Sequence, residues 1–368
     1  MNLGRLLLAI ALLSAIGMAQ TSSGAAQAAP SPLAPNAPKP QANANPDNLK
    51  KFPAIAPGLS DLKPPELPRP LVASTIKPLQ VPVFSAYGES ICDADGNMFF
   101  HVIRASNFND SPIMEISHDG ESGTTYSPSA NTGDQRVYFM SFTVSPAGTV
   151  RELAEIKDGV VIIAFDSNGN ESSRTTLDVP DHVTPQEFAS FENGEVVFYG
   201  YYDKDAPEAL KGHRYIGVFA PSGKLMKKID DAEHLDLDQF AKHLQSGAAT
   251  LGSDGNVYLL RDKEVVVISQ SGEVLRRLPF DKNPSDAIPM KVVYSDGLLA
   301  IFLSVAQKDM PFLLRRYLIL DSSSGEQRGF YAPSKETSSD DVCFSRKEGF
   351  TFIHNIKDTL YLIQAALR

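Results

Sequence analysis

Eleven glycines in two alternating series separate short runs rich in Val, Ile, Phe, Tyr and Leu, and this alternation restricts the chain beyond residue 80 to antiparallel β-structure. The first series is Gly96, Gly148, Gly194, Gly255, Gly297 and Gly349, and the second is Gly120, Gly169, Gly223, Gly272 and Gly325. A tight hairpin turn needs a positive φ, which is costly for a residue with a Cβ, so glycine at each turn has a steric reason. The clearest unit is 248–280. There Ser253-Asp254-Gly255-Asn256 precedes Val257-Tyr258-Leu259-Leu260, Glu264 to Ile268 follow, and the turn Ser271-Gly272 leads into Val274 to Leu278. It reads as four antiparallel strands with one turn after the first and another after the third.

The first-turn glycines are spaced by 52, 46, 61, 42 and 52 residues, periods that suit a four-stranded blade. The expected fold is all-β, a six-bladed β-propeller of four-stranded antiparallel blades over 80–368. The sixth unit lacks a strand, because only Phe350–His354 and Thr359–Ile363 follow Gly349. A ring with an open seam exposes strand edges, so the last blade is expected to be closed by an N-terminal strand. Val81-Pro82-Val83-Phe84-Ser85 is the candidate for it. One segment breaks the β pattern: Leu235, Leu237, Phe240 and Leu244 predict a short helix over 231–245, on the connection between the third and fourth blades.

The repeat, best displayed by Ser253-Asp254-Gly255-Asn256-Val257-Tyr258 and Gln270-Ser271-Gly272-Glu273-Val274, resembles the NHL-like six-bladed propellers, in an exported, bacterial-type protein. The resemblance covers about residues 80–368 and implies the fold, while propellers as a class host hydrolases, lyases, scaffolds and receptors.

Residues 1–19 combine Arg5, an apolar stretch from Leu6 to Ile16 and the small residues Gly17 and Ala19, the pattern of a secretory signal peptide. Cleavage is expected after Ala19 or after Ala28. The apolar stretch is short against the roughly 20 residues that a membrane span needs. Fourteen of the 26 prolines fall between Pro30 and Pro82, so residues 20–79 read as a disordered Pro/Ala-rich linker. A secreted or periplasmic protein follows, with no membrane span after cleavage, and the chain is read as a monomer.

The net charge of −10 is uneven, with −14 on residues 83–368, which disfavours nucleic acid as a partner. No G-x-S-x-G elbow, P-loop, G-x-G-x-x-G, C-x-x-C or H-E-x-x-H occurs.

Function in such a ring is expected at the channel mouth, where the innermost strands begin. Reading that position blade by blade gives Glu89, Ser141, Glu187, Thr250, Lys291 and Asp341. Glu89, Glu187, Lys291 and Asp341 are the candidate ligand-binding residues. The carboxylates Glu89, Glu187 and Asp341 could hold calcium, which takes six to eight oxygens, although Lys291 would oppose a cation. That set would also resemble the metal site of six-bladed lactonases, without the Asn and Asp expected beside it. Asp93-Ala94-Asp95-Gly96-Asn97 and Asp166-Ser167-Asn168-Gly169-Asn170 read as turns, since neither has the Glu that a calcium loop carries at its twelfth position. His101 and His354 each stand five residues beyond a first-turn glycine and so share a register in the first and last blades. A metal or proton role is open to them, with buried packing the favoured reading. Cys92 and Cys343 lie on the innermost strands of the same two blades. A disulfide there would staple the seam, but strands farther apart than about 7 Å between Cα atoms would leave two buried thiols, and the thiols are the favoured reading.

These features point to a binding or scaffolding module for a peptide, glycan or protein ligand. The alternative is a calcium-dependent hydrolase or lyase of lactonase-like type.

Overall fold

The computed structural model describes residues 67–80, 86–102, 112–128, 138–145, 148–157, 159–229, 249–306, 314–337, 341–356 and 359–367, with the backbone alone for 86–89, 138–140 and 355–356. All eleven turn glycines have positive φ, and the strands between them form six sheets. Blade I is β3 (Ala86–Cys92), β4 (Met98–Val102), β5 (Ile113–Ile116) and β6 (Gly123–Tyr126). Blade II is β7 (Tyr138–Val144), β8 (Val150–Ile156), β9 (Gly159–Phe165) and β10 (Glu171–Leu177). Blade III is β11 (Val183–Ser190), β12 (Val196–Tyr202), β13 (Arg214–Phe219) and β14 (Leu225–Ile229). Blade IV is β15 (Ala249–Leu251), β16 (Val257–Leu260), β17 (Glu264–Ile268) and β18 (Val274–Pro279).

Blade V comprises β19 (Ile288–Ser295), β20 (Leu298–Val305), β21 (Leu314–Asp321) and β22 (Gln327–Pro333). It gains a fifth strand, β1 (Arg69–Leu71), which pairs parallel to β22. Blade VI has β23 (Val342–Ser345), β24 (Gly349–Ile356) and β25 (Thr359–Ala365), and its outer strand is β2 (Thr75–Pro78), antiparallel to β25. The innermost strands meet in the order β3, β7, β11, β15, β19, β23 and back to β3, closing the ring.

The last blade is thus completed from the N-terminal side, but by Thr75–Pro78 rather than by the stretch around Val83, which lies outside the described residues. The paired strands reach back to Arg69, upstream of the boundary expected at residue 80. An outer-edge strand has no neighbour on one side, so Pro78 can sit opposite Tyr361 at the end of β2 without breaking a central ladder. No helix occurs among the described residues, and the helix expected over 231–245 lies outside them.

The core is a set of seams between consecutive blades, because inner and middle strands are buried on both faces while outer strands such as β10 and β14 are largely open to solvent. Phe99, Phe142, Ala154 and Ile163 fill the seam between blades I and II. Tyr317, Phe302, Phe350 and Phe352 fill the one between V and VI, with ring centroids 4.6–6.4 Å apart. Each such side chain, fully buried, contributes about 1.5–3 kcal/mol.

The second-turn glycines also knit neighbouring blades together. A Cβ on Gly169 would lie 2.0 Å from the carbonyl oxygen of Thr125 in blade I, and one on Gly223 would lie 1.8 Å from that of Thr176 in blade II. Bare backbone lets each turn press on the outer strand of the preceding blade and accept the amide that leaves it, from Ser127 to Gly169 at 3.0 Å and from Asp178 to Gly223 at 2.8 Å.

Candidate functional site

The innermost strands share a local device. β3, β7, β11 and β19 each carry a register shift near their start, just before Ser90, Ser141, Glu187 and Lys291 respectively. A bulge re-aims the side chains that follow it. Beyond it they alternate between the two seams that flank the blade.

The residues expected to ring the channel mouth are therefore dispersed. Glu187 is buried opposite Tyr199, whose packing partners lie toward blade IV. Lys291 is buried opposite Phe302 in the seam with blade VI, its Nζ 5.2 Å from that ring and 3.4 Å from the carbonyl oxygen of Val342. Ser141 is buried opposite Leu153, in the seam with blade III. Asp341 sits just ahead of β23, where its carbonyl accepts the Ile353 amide at 3.1 Å. Glu89 falls within the β3 bulge, and its side chain is not among those the structure describes. Among the described residues no three His, Cys, Asp or Glu side chains come close enough together to hold a metal ion.

Thr250 lines a channel cavity of about 50 Å³ instead, together with Cys92, Asp93, Ser145, Ser295 and Asp296, at the turn end of the inner strands. Burial raises the Asp93 carboxyl above its usual range, and hydrogen bonds from the Asn97 side chain and amide oppose that shift. The same bonds make 93–97 a closed turn. Asp166 likewise accepts the amides of Asn168 and Asn170, both at 2.9 Å.

Cys92 and Cys343 are joined in a disulfide, with Cα atoms 5.4 Å apart. The expectation of two separate thiols is overturned because β3 and β23 lie side by side on the channel wall, closer than adjacent blades stand farther out.

His101 and His354 do not share a seam. His101 packs edge-on against Phe142 of blade II, with centroids 5.1 Å apart. In blade VI the first turn closes with Ser345 opposite Gly349 itself, whereas in blade I the corresponding turn closes with Asp93 donating to Asn97, one residue past Gly96. That shift of one residue turns the position five beyond the glycine to the opposite face. Ile353, not His354, packs toward the neighbour that follows in the ring.

Two polar groupings escaped the sequence reading. In the first, Nε2 of His101 stands 3.7 Å from Oε1 of Glu152, both side chains buried between blades I and II. The second gathers Tyr199, Arg214 and Arg261 near the seam of blades III and IV. Arg214 stacks 5.3 Å from the Tyr199 ring, and burial, then the charges of Arg214 and Arg277, push Arg261 down to about 10. Glu152 and His101 lie 51 residues apart on strands of different blades, a separation that no linear motif marks.

No family model and no curated protein matches this chain. Among solved structures it is similar to a candidate exported protein from Bacteroides fragilis, at 9% identity over 82% of this chain and 99% of that one, with a TM-score of 0.48. It is also similar to a gluconolactonase from Xanthomonas campestris (12% identity, 82% and 98% covered, TM-score 0.44). A third is the calcium-binding protein regucalcin from Agrobacterium tumefaciens (12% identity, 82% and 96% covered, TM-score 0.43). The six sheets of four or five strands and the closed order of their inner strands make the chain a six-bladed β-propeller.

Proposed function

We propose that the protein is an exported propeller that acts as a binding or scaffolding module for a peptide, glycan or protein ligand presented to one face of the ring. What carries this reading is the dispersal of Ser141, Glu187 and Lys291 into three different seams, where they serve blade packing rather than one reacting centre. Export is supported by the signal-like N-terminus and by the Cys92–Cys343 disulfide, a bond that persists in oxidising compartments.

The competing reading is a calcium-dependent hydrolase or lyase acting through Glu89, Glu187 and Asp341. The test is elemental analysis of the chain after dialysis against calcium, with lactone turnover measured beside binding to peptide and glycan panels. Saturable panel binding without stoichiometric calcium supports the module. One calcium per chain, with turnover lost in Glu89→Gln, overturns it.

A further inference from the structure

Two blades show what an outer strand of this ring accepts. β1 adds to β22 as a fifth strand of blade V, and β2 adds to β25 on the rim of blade VI. In the other four blades β6, β10, β14 and β18 end their sheets, with no strand beyond them among the described residues. Such an edge offers unpaired amides and carbonyls to an extended segment. Chemistry separates the four. β6 carries no charged residue, and on β10 Arg174 engages Glu171 at 2.8 and 3.0 Å. β14 and β18 instead share one pattern, two apolar residues, two cations and an apolar residue: Leu225-Met226-Lys227-Lys228-Ile229 and Val274-Leu275-Arg276-Arg277-Leu278.

The cations of β18 are engaged within their own blade, since Arg277 donates to Glu264 and Arg276 stands 3.9 Å from Asp254. On β14 neither lysine pairs with a carboxylate among the described residues. Lys228 Nζ lies 5.9 and 5.8 Å from the rings of Tyr202 and Tyr215, while Lys227 lies along the blade IV turn, its Cδ 3.0 Å from where a Cβ on Gly272 would stand. The two lysines thus point to opposite sides of β14, as successive strand residues do. Met226 beside them is 47% exposed. On a body that carries −14 over residues 83–368, this is a local excess of positive charge on an open edge.

We propose that the free edge of β14 takes an extended acidic segment of a partner protein as a fifth strand. Main-chain hydrogen bonds hold it, two consecutive carboxylates meet Lys227 and Lys228 on the two sides of the strand, and an aliphatic residue covers Met226. The opposed lysines favour a strand over an anionic bilayer, because consecutive residues of an added strand alternate in the same way and a plane of headgroups does not. The site lies on the rim rather than on a face of the ring, so it does not depend on the reading proposed above.

The full chain would be titrated, by fluorescence anisotropy, with a labelled octapeptide STVEEVTS, with its STVKKVTS counterpart, and with STVEEVTS methylated on its backbone nitrogens. Saturable binding of the acidic peptide alone is expected, weakening as salt rises, with slowed amide exchange over 225–229. Lys227→Glu/Lys228→Glu should weaken it by more than about tenfold and bind STVKKVTS better than the parent does. Both positions are exposed, so the melting curve of this variant should match the parent's. Lys204→Glu, on an exposed turn of the same blade, should leave binding unchanged. No binding of STVEEVTS overturns the proposal, as does equal binding of the methylated peptide or equal affinity in the double variant. Protection confined to other strands, or retention on phosphatidylglycerol vesicles without peptide binding, overturns it too.

Discussion

The backbone amide of Gln80 donates to the carbonyl of Gly120 at 3.1 Å, repeating across the ring seam the contact that Ser127 makes to Gly169 and Asp178 makes to Gly223. Gln80 lies just beyond β2, so the N-terminal strap enters the ring with the bonding of an ordinary outer strand. Its other end is anchored by Leu71, which is 1% exposed and whose carbonyl accepts the Thr337 hydroxyl at 3.3 Å.

A chain beginning at residue 64 should therefore unfold at the parent's urea midpoint. One beginning at residue 80 loses β1 and β2, leaves β25 as a bare edge and should lose more than about 3 kcal/mol. Equal midpoints for the two truncations would mean that the strap is decoration.

The turn glycines separate backbone strain from crowding. Gly148 and Gly223 have φ of 79° and 83°, but a Cβ on Gly148 meets nothing within 4 Å among the described residues. Gly148→Ala should cost about 1–2 kcal/mol. Gly223→Ala adds the collision with Thr176 and should cost more than about 3 kcal/mol. Thermal melts of the two variants give the comparison directly.

The disulfide ties residues 251 apart in sequence. In the loop-entropy model its removal from so long a loop costs about 5 kcal/mol, an upper figure for engineered losses. Cys92→Ser and reduction of the parent should lower the guanidinium midpoint to the same value. A parent insensitive to reductant, with its thiols shown to be free, would refute the staple.

Glu152 sets a pH dependence of stability. Desolvation holds its folded-state pKa well above the ordinary 4.5, with the charge of Glu171 acting in the same direction. The folded state thus binds the proton more tightly than the unfolded one. Its contribution to stability is full below about pH 4.5 and is lost as pH rises through the folded value. Glu152→Gln should flatten this decline, and its advantage over the parent should grow with pH in urea melts. A parallel pair of stability–pH curves would show that the carboxyl is not the responsible group.

The sequence by itself determined the blade count, the strand direction and the turns, because these rest on local chemistry. Positive φ at Gly96, Gly148 and their counterparts, set between apolar runs, leaves few alternatives to consecutive hairpins. It also carried the argument for a missing sixth-blade strand. Tertiary structure alone decided which segment supplies it, since a strand with a free edge tolerates the Pro78 that local propensity would exclude. Tertiary structure also decided where the charges go. Glu187 and Lys291 occupy matching bulged positions, but the two seams they enter lie on different sides of the ring. His101 and His354 were separated by a one-residue difference in a turn. Cys92 and Cys343, like His101 and Glu152, became partners because curvature brings inner and middle strands of neighbouring blades together, and no spacing along the chain records that distance.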